Sequence, residues 1–237
     1  MSWHTGRLCG FDLETTGVDV ETDRIVTACV VQCGGGQPTQ SATWLADPGI
    51  DIPEQAAQVH GITTERARAE GRPAAEVVAE VVAALGQAIT HGIPIVAMNA
   101  RFDLTMLDRE ARRHGVDPLP DGLAGLVVVD PFVIDKAVDR YRRGKRTLTD
   151  LCTHYRVPLD GAHSADADAI AACRVAWRQA TQYPRLAEMT LPDLYAAQAG
   201  WAAEQAASLQ EYLRKKDPAA YCPPEWPLIP HQREDAS

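Results

Sequence analysis

The sequence is short of positive charge. Its 23 Lys and Arg stand against 32 Asp and Glu, a formal net charge of −9. A protein that coats polyanions without specificity shows the opposite balance. Acidic metal ligands would count toward this excess, and a bound cation would cancel them locally. Paired metal-binding thiols are also missing. Cys9, Cys29, Cys33, Cys152, Cys173 and Cys222 form no Cys-x-x-Cys pair and no Cys/His spacing of a zinc site, so reduced thiols are expected. No apolar run reaches membrane-spanning length, and the stretch Met1-Ser-Trp-His-Thr-Gly-Arg7 lacks the apolar core of a signal peptide. The expectation is a cytoplasmic protein with no membrane partner. Internal repeats and low-complexity tracts are absent too.

The chain's 237 residues are enough for one large domain or a domain with a small appendage. Arg7 to Glu14 reads as a buried strand, Arg24 to Cys33 as a second, and Thr39 to Leu45 as a third after the Gly34-Gly-Gly36 turn. Short turns between them predict an antiparallel meander. Pro53 to Val59 predicts a short helix closed by His60-Gly61, and Ala74 to Ile89 an amphipathic one. Short apolar strands follow at Ile93 to Met98 and Leu126 to Val129, with a helix from Arg101 to His114 between them. Helices are predicted over Phe132 to Tyr141, Leu148 to Tyr155, Ser164 to Thr181 and, past an interruption at Pro184, Leu191 to Lys215. Five prolines from Pro218 to Pro230 predict an extended tail, pinned to the body by Trp226 and Leu228. A meander followed by alternating helices and strands argues for a mixed sheet flanked by helices. The division expected is a domain over 1–184 and a C-terminal helix with a Pro-rich tail over 185–237, packed on the same domain.

Asp12 and Glu14 sit two apart in Arg7-Leu-Cys-Gly-Phe-Asp-Leu-Glu-Thr-Thr-Gly17. Alternation along a strand points both carboxylates to one face. Such a pair on an apolar strand is tolerable with a hard cation such as Mg²⁺ or Mn²⁺ between them. Two further acids matter. Asp103 falls in the first turn of the helix after Asn99, and Asp168 one turn into the helix that His163 opens. Each alone also suits the plain role of an acid meeting the helix dipole.

Taken together these motifs resemble the DEDDh-type 3′–5′ exonucleases of the DnaQ-like superfamily. The matching segments are Phe11-Asp-Leu-Glu-Thr-Thr-Gly17, Asn99 with Asp103, and His163 with Asp168 in the form His-x-x-x-x-Asp; Val59-His-Gly-Ile-Thr63 is also similar. The resemblance covers about Gly6 to Ala180. It implies an RNase H-like α/β fold with a mixed five-stranded sheet. It further implies that Asp12, Glu14, Asp103 and Asp168 hold two divalent ions, Mg or Mn, with His163 as general base. Two metals would clamp the attacking and leaving oxygens of a phosphodiester, and a histidine near neutral pKa could take the proton of the water.

By the same resemblance, Thr15, Thr16 and Gly17 would meet the terminal 3′-hydroxyl and sugar. His60 and Phe102 could stack on terminal bases, though Phe102 also suits the core. Asn99 belongs to the second motif. The run Arg140-Tyr-Arg-Arg-Gly-Lys-Arg146 is the one dense basic cluster, and Arg142, Arg143 and Arg146 are read as phosphate contacts against the plainer reading of a solvated loop. The expected substrate is nucleic acid with a 3′ end, DNA favoured over RNA. An RNA-trimming enzyme, a catalytically silent binding module and a carboxylate-paired glycosidase are the rival readings. No polymerase segment is expected, and proofreading in trans, repair or nucleotide recycling are the roles this expectation leaves open. A polymerase or repair partner, or a homodimer, would engage the segment after Arg185.

Overall fold

A computed structural model describes residues 2–119, 126–159 and 164–231. Among them a mixed sheet of six strands runs in the order β4-β3-β2-β1-β5-β6. The meander is β1 (Arg7–Thr15), β2 (Ile25–Gly34) and β3 (Gln40–Asp47), paired antiparallel. The two-residue strand β5 (Ile95–Val96) joins β1 in parallel, and β6 (Val128–Val129) joins β5. The expected sheet had five strands. The sixth is β4 (Arg72–Pro73), parallel to the end of β3. It is a two-residue edge strand with proline as its second residue, a place where the missing N–H costs nothing, and no periodicity announces so short a segment.

Alternation along β1 sorts the core. Cys9, Phe11 and Leu13 enter one apolar cluster with α3 (Ala74–Thr90) and α4 (Ala100–Arg113). Leu8 enters another on the opposite face with α7 (Ala165–Gln182). Two short helices precede these, α1 (Glu54–His60) and α2 (Thr64–Glu70). The sequence pattern predicts α1, closed by Gly61 in the left-handed region at φ 75°. It does not predict α2, a single-sided helix seven residues long that buries only Ala67. After β6 come α5 (Pro131–Val138) and α6 (Leu148–Tyr155). Pro184 does not simply interrupt the helices: it opens α8 (Pro184–Glu188) at a position that needs no N–H.

The last helix, α9 (Leu191–Leu213), buries Leu194, Gln198, Ala202 and Ala206, one residue per turn. The polar member of that stripe has a reason. β6 is an edge strand with open backbone groups. Gln198 Nε2 donates to Val128 O at 2.9 Å, and its Oε1 accepts from the Asp130 N–H at 2.7 Å. The tail then crosses α4. Ile229 N–H donates to Thr105 Oγ1 at 3.0 Å, and the Trp226 ring lies 5.2 Å from that of Tyr195. All six cysteines are free thiols.

Candidate active site

The site forms where β1 outruns its parallel neighbour. β5 pairs with β1 only as far as Gly10. Beyond it the chain turns through Asn99, which adopts φ 60°, ψ 47°, and starts α4. The Leu13 N–H, left without a strand partner there, donates to Asp103 Oδ1 at 3.1 Å. Asp103 thereby takes the place of the missing strand and lies 4% exposed beside the acidic pair.

Asp12 and Glu14 share the other face of β1, toward α7. Gly10 precedes them on that same face. A Cβ there would come within 2.6 Å of Ala169 O and 2.9 Å of Cys173 Sγ. The bare glycine lets the first turns of α7 settle directly on the strand, and this brings Asp168 to the pair. One carboxylate oxygen each from Asp12, Glu14 and Asp168 lie within 4.8 Å of one another.

The electrostatics follow from that crowding. Burial, then the charges of Asp103, Glu14 and Asp168, hold the Asp12 carboxyl well above the usual carboxylate range. Glu14 is pushed up to about 7 by burial and by Asp168. Asp103 is raised chiefly by burial, against the hydrogen bonds from backbone N–H groups that favour its charged form. Massed oxygen donors whose mutual repulsion favours protonation are the donor set that a hard divalent cation fits. The cluster unites Asp12, Glu14 and Asp168, with Asp103 adjoining. His163 lies outside the described residues.

The turn after β1 departs in part from expectation. Thr16 is 2% exposed; its hydroxyl donates to Asp23 Oδ1 at 2.8 Å and accepts from the Arg24 N–H at 3.0 Å. That hydroxyl is committed to the turn, which corrects its reading as a substrate contact. Thr15 Oγ1 donates to Gly17 O at 2.6 Å and keeps acceptor capacity. Gly17 leaves room for Asp23, whose carboxylate would lie 2.4 Å from any Cβ. His60 Nδ1 accepts from the Ile62 N–H at 3.2 Å, and burial lowers the ring's pKa despite a backbone hydrogen bond with Thr15. It lines a cleft of about 400 Å³ with Glu14, Trp44, Arg66 and Asp166. Phe102 packs partly buried against the main core, its plainer role.

The basic run needs a larger correction. Arg142 donates to Asp135 Oδ2 at 2.7 Å, and Arg146 pairs with the same buried carboxylate. Tyr155 OH donates to its other oxygen at 2.8 Å. These two arginines face inward, because Asp135 is fully buried and needs charge partners. Only Arg143 of the three stands exposed.

Asp130 was missed as a site residue. Its Oδ1 accepts from the N–H groups of Asn99 and Phe132 at 3.0 and 2.9 Å, and its Oδ2 from Ala100 at 3.0 Å. It fixes the Asn99 turn that aims Asp103, and it caps α5. The signal was legible: Asp-Pro directly after a short strand is an N-cap followed by proline at N1.

A carboxylate cluster at the end of a central strand, on a mixed sheet covered by helices, is an arrangement that suits metal-assisted phosphodiester hydrolysis. The chain belongs to the exonuclease family named for RNase T, whose profile matches residues 9–176. That family is metal-dependent. The chain is 27% identical over 160 residues to a DNA polymerase III PolC-type of Lacticaseibacillus paracasei, covering 67% of this chain and 10% of that one. Against the PolC-type of Thermotoga maritima it is 31% identical over 140 residues, 56% of this chain and 10% of that. Its fold is similar to E. coli Exonuclease I in complex with a dT13 oligonucleotide, with TM-score 0.63 and 20% identity over 76% of this chain and 42% of that one. Exonuclease I from Methylocaldum szegediense gives 0.63 and 20% over 85% and 46%. The architecture is therefore the RNase H-like exonuclease fold. The chain spans about a tenth of the PolC-type relatives and less than half of the Exonuclease I chains.

Proposed function

We propose that this protein is a 3′–5′ exonuclease that removes nucleoside 5′-monophosphates from the 3′ ends of DNA, preferring single strands or frayed ends. The observation that carries the reading is the cluster of Asp12, Glu14 and Asp168 within 4.8 Å, with Asp103 beside it, in a chain of the exonuclease family. These four carboxylates would hold divalent ions, Mg or Mn. Bound there, the ions would supply positive charge to the oxygens of the scissile phosphate and activate a water. His163, five residues before Asp168, is the group proposed to accept the proton of that water. Thr15 and the backbone at Gly17 would receive the terminal sugar, with His60 and Asn99 as further substrate contacts. Of Arg142, Arg143 and Arg146, Arg143 is the one that stands exposed and would reach phosphate.

Polarity and substrate are tested with end-labelled oligonucleotides in Mg²⁺, Mn²⁺ or chelator. A 5′-labelled single strand should give a descending ladder and a 3′-labelled one a labelled mononucleotide at once. A terminal 3′-phosphate should slow the first cut. Cutting of a circular single strand would overturn the exonuclease reading, and faster turnover of RNA than of DNA would move the substrate.

A further inference from the structure

Lys136 and Tyr212 are far apart in sequence, yet the fold closes them around one cleft. Gln205 Nε2 on α9 donates to Val133 O on α5 at 3.0 Å, and this contact sets the two helices side by side. Beside it, α5, the turn that follows and α9 enclose about 650 Å³, walled by Lys136, Arg140, Tyr141, Trp201, Leu209 and Tyr212. Two rings stand at its rim instead of in the core: Tyr141 is 88% exposed and Tyr212 is 59%. Each has a cation beside it. Arg140 lies 5.9 Å from the Tyr141 ring centre, and Lys215 lies 6.0 Å from that of Tyr212.

The charge here is not balanced as it is next door. Asp135 takes up Arg142 and Arg146. Among the described residues, Lys136 and Arg140 have no carboxylate ion pair, and Glu204 is the one acid on the cleft wall. Burial, followed by the charges of Arg146 and Arg101, holds the Lys136 ammonium below its ordinary value. Arg101 stands in the first turn of α4, two residues before Asp103. Positive groups therefore run from the helix that carries an active-site carboxylate to the cleft. Positive charges in excess of the nearby acids suit an anionic ligand. Exposed rings beside them suit one that also offers flat apolar faces.

We propose that this cleft is a second subsite for the nucleic acid, holding single strand on the 5′ side of the reacting end. Phosphates sit on Lys136 and Arg140, and bases stack on Tyr141 and Tyr212. Both contacts tolerate any sequence, and they would retain the strand between successive cuts. The proposal rests on the exonuclease reading above.

The test is binding of a fluorescent 20-mer oligo(dT) in chelator, where no cutting occurs, followed by hydrolysis in Mg²⁺ with an unlabelled trap. Tyr212→Ala should weaken 20-mer binding at least about fivefold, the low end for losing one stacked base. Lys136→Gln with Arg140→Gln should flatten the logarithmic salt dependence by about 1.4, for two phosphate contacts at about 0.7 each. Both should lower the number of nucleotides released per encounter and the ratio of 20-mer to trinucleotide kcat/KM. Melting curves check that the variants fold. Equal affinity and salt slope in wild type and folded variants would overturn the subsite and leave the exonuclease reading intact. Intact strand binding with no metal-dependent release of nucleotides would instead overturn the exonuclease reading.

Discussion

Two charged clusters in this molecule obey opposite rules. Around Asp12, carboxylates crowd together and raise each other's proton affinity. Around Asp135, a buried carboxylate is met by Arg142, Arg146 and the Tyr155 hydroxyl. The second cluster is internally satisfied, as a buried charge must be in a stable fold. The first gathers like charges, which a bound cation would offset. Dense charge in the sequence marks both places equally; what separates them is whether the fold sets opposite charges or like charges side by side.

The comparison breaks if the two clusters respond alike to substitution. Asp135→Ala strands two guanidinium groups against the protein interior. It should cost about 3–5 kcal/mol in denaturant unfolding, with residual activity tracking the folded fraction. An Asp135→Ala protein of normal stability would show that its ion pairs are ornamental. Asp12→Ala or Glu14→Ala should do the reverse. Turnover should fall on the order of 10²–10³-fold, the scale of removing one group that stabilises transition-state charge. The metal-free melting temperature should hold or rise, because repulsion is relieved. A destabilised metal-free variant would contradict the charge argument even if activity were lost.

Gly10→Ala sharpens the dependence of the first cluster on packing. The added methyl meets Ala169 O at 2.6 Å. Lifting α7 should cost about 1–3 kcal/mol and loosen metal affinity, read by calorimetric titration. Unchanged metal affinity would detach Asp168 from the site.

The smallest effect is a pH dependence. Glu14 titrates near 7 in the folded, metal-free protein, against an ordinary glutamate value of 4.5. Between these values the unfolded chain loses its proton first, so folding stability is full below about 4.5 and falls as pH rises through about 7. Asp12 and Asp103 are raised as well and act in the same direction. The metal-free melting temperature should therefore decline over this window by a few degrees, and Mg²⁺ or Mn²⁺ should reverse the decline above pH 7 by binding only the folded state. A melting temperature that climbs with pH in chelator would refute the raised values.

Much of this was legible beforehand, for identifiable reasons. β1 and β2 are long runs of Val, Ile, Leu, Cys and Phe bounded by turn residues, and β1 carries its acids at a spacing of two. Such patterns report local geometry directly. The two-residue β4 and the seven-residue α2 carry too few residues for any period to register. The inward turn of Arg142 and Arg146 was not legible, because it depends on where Asp135 points after α5 has packed on α7 and α9. The same holds for Thr16, whose hydroxyl is claimed by Asp23 across a turn. Gln198 reads as an ordinary polar residue until β6 is found to be an edge with backbone groups to fill.

By itself, the sequence determined the order of the central strands β1 to β3, the acidic motifs and the family they belong to. Those features are local: alternation, turn residues and spacing within a few positions of one another. Only the tertiary structure decided which charges meet which. Asp168 reaches Glu14 because Gly10 leaves α7 a bare strand to lie on, and Asp103 reaches β1 because β5 ends at the level of Gly10, short of Leu13, and leaves an N–H open. Side-chain electrostatics depend on distances between elements, and those distances are set by packing, which no window along the chain contains.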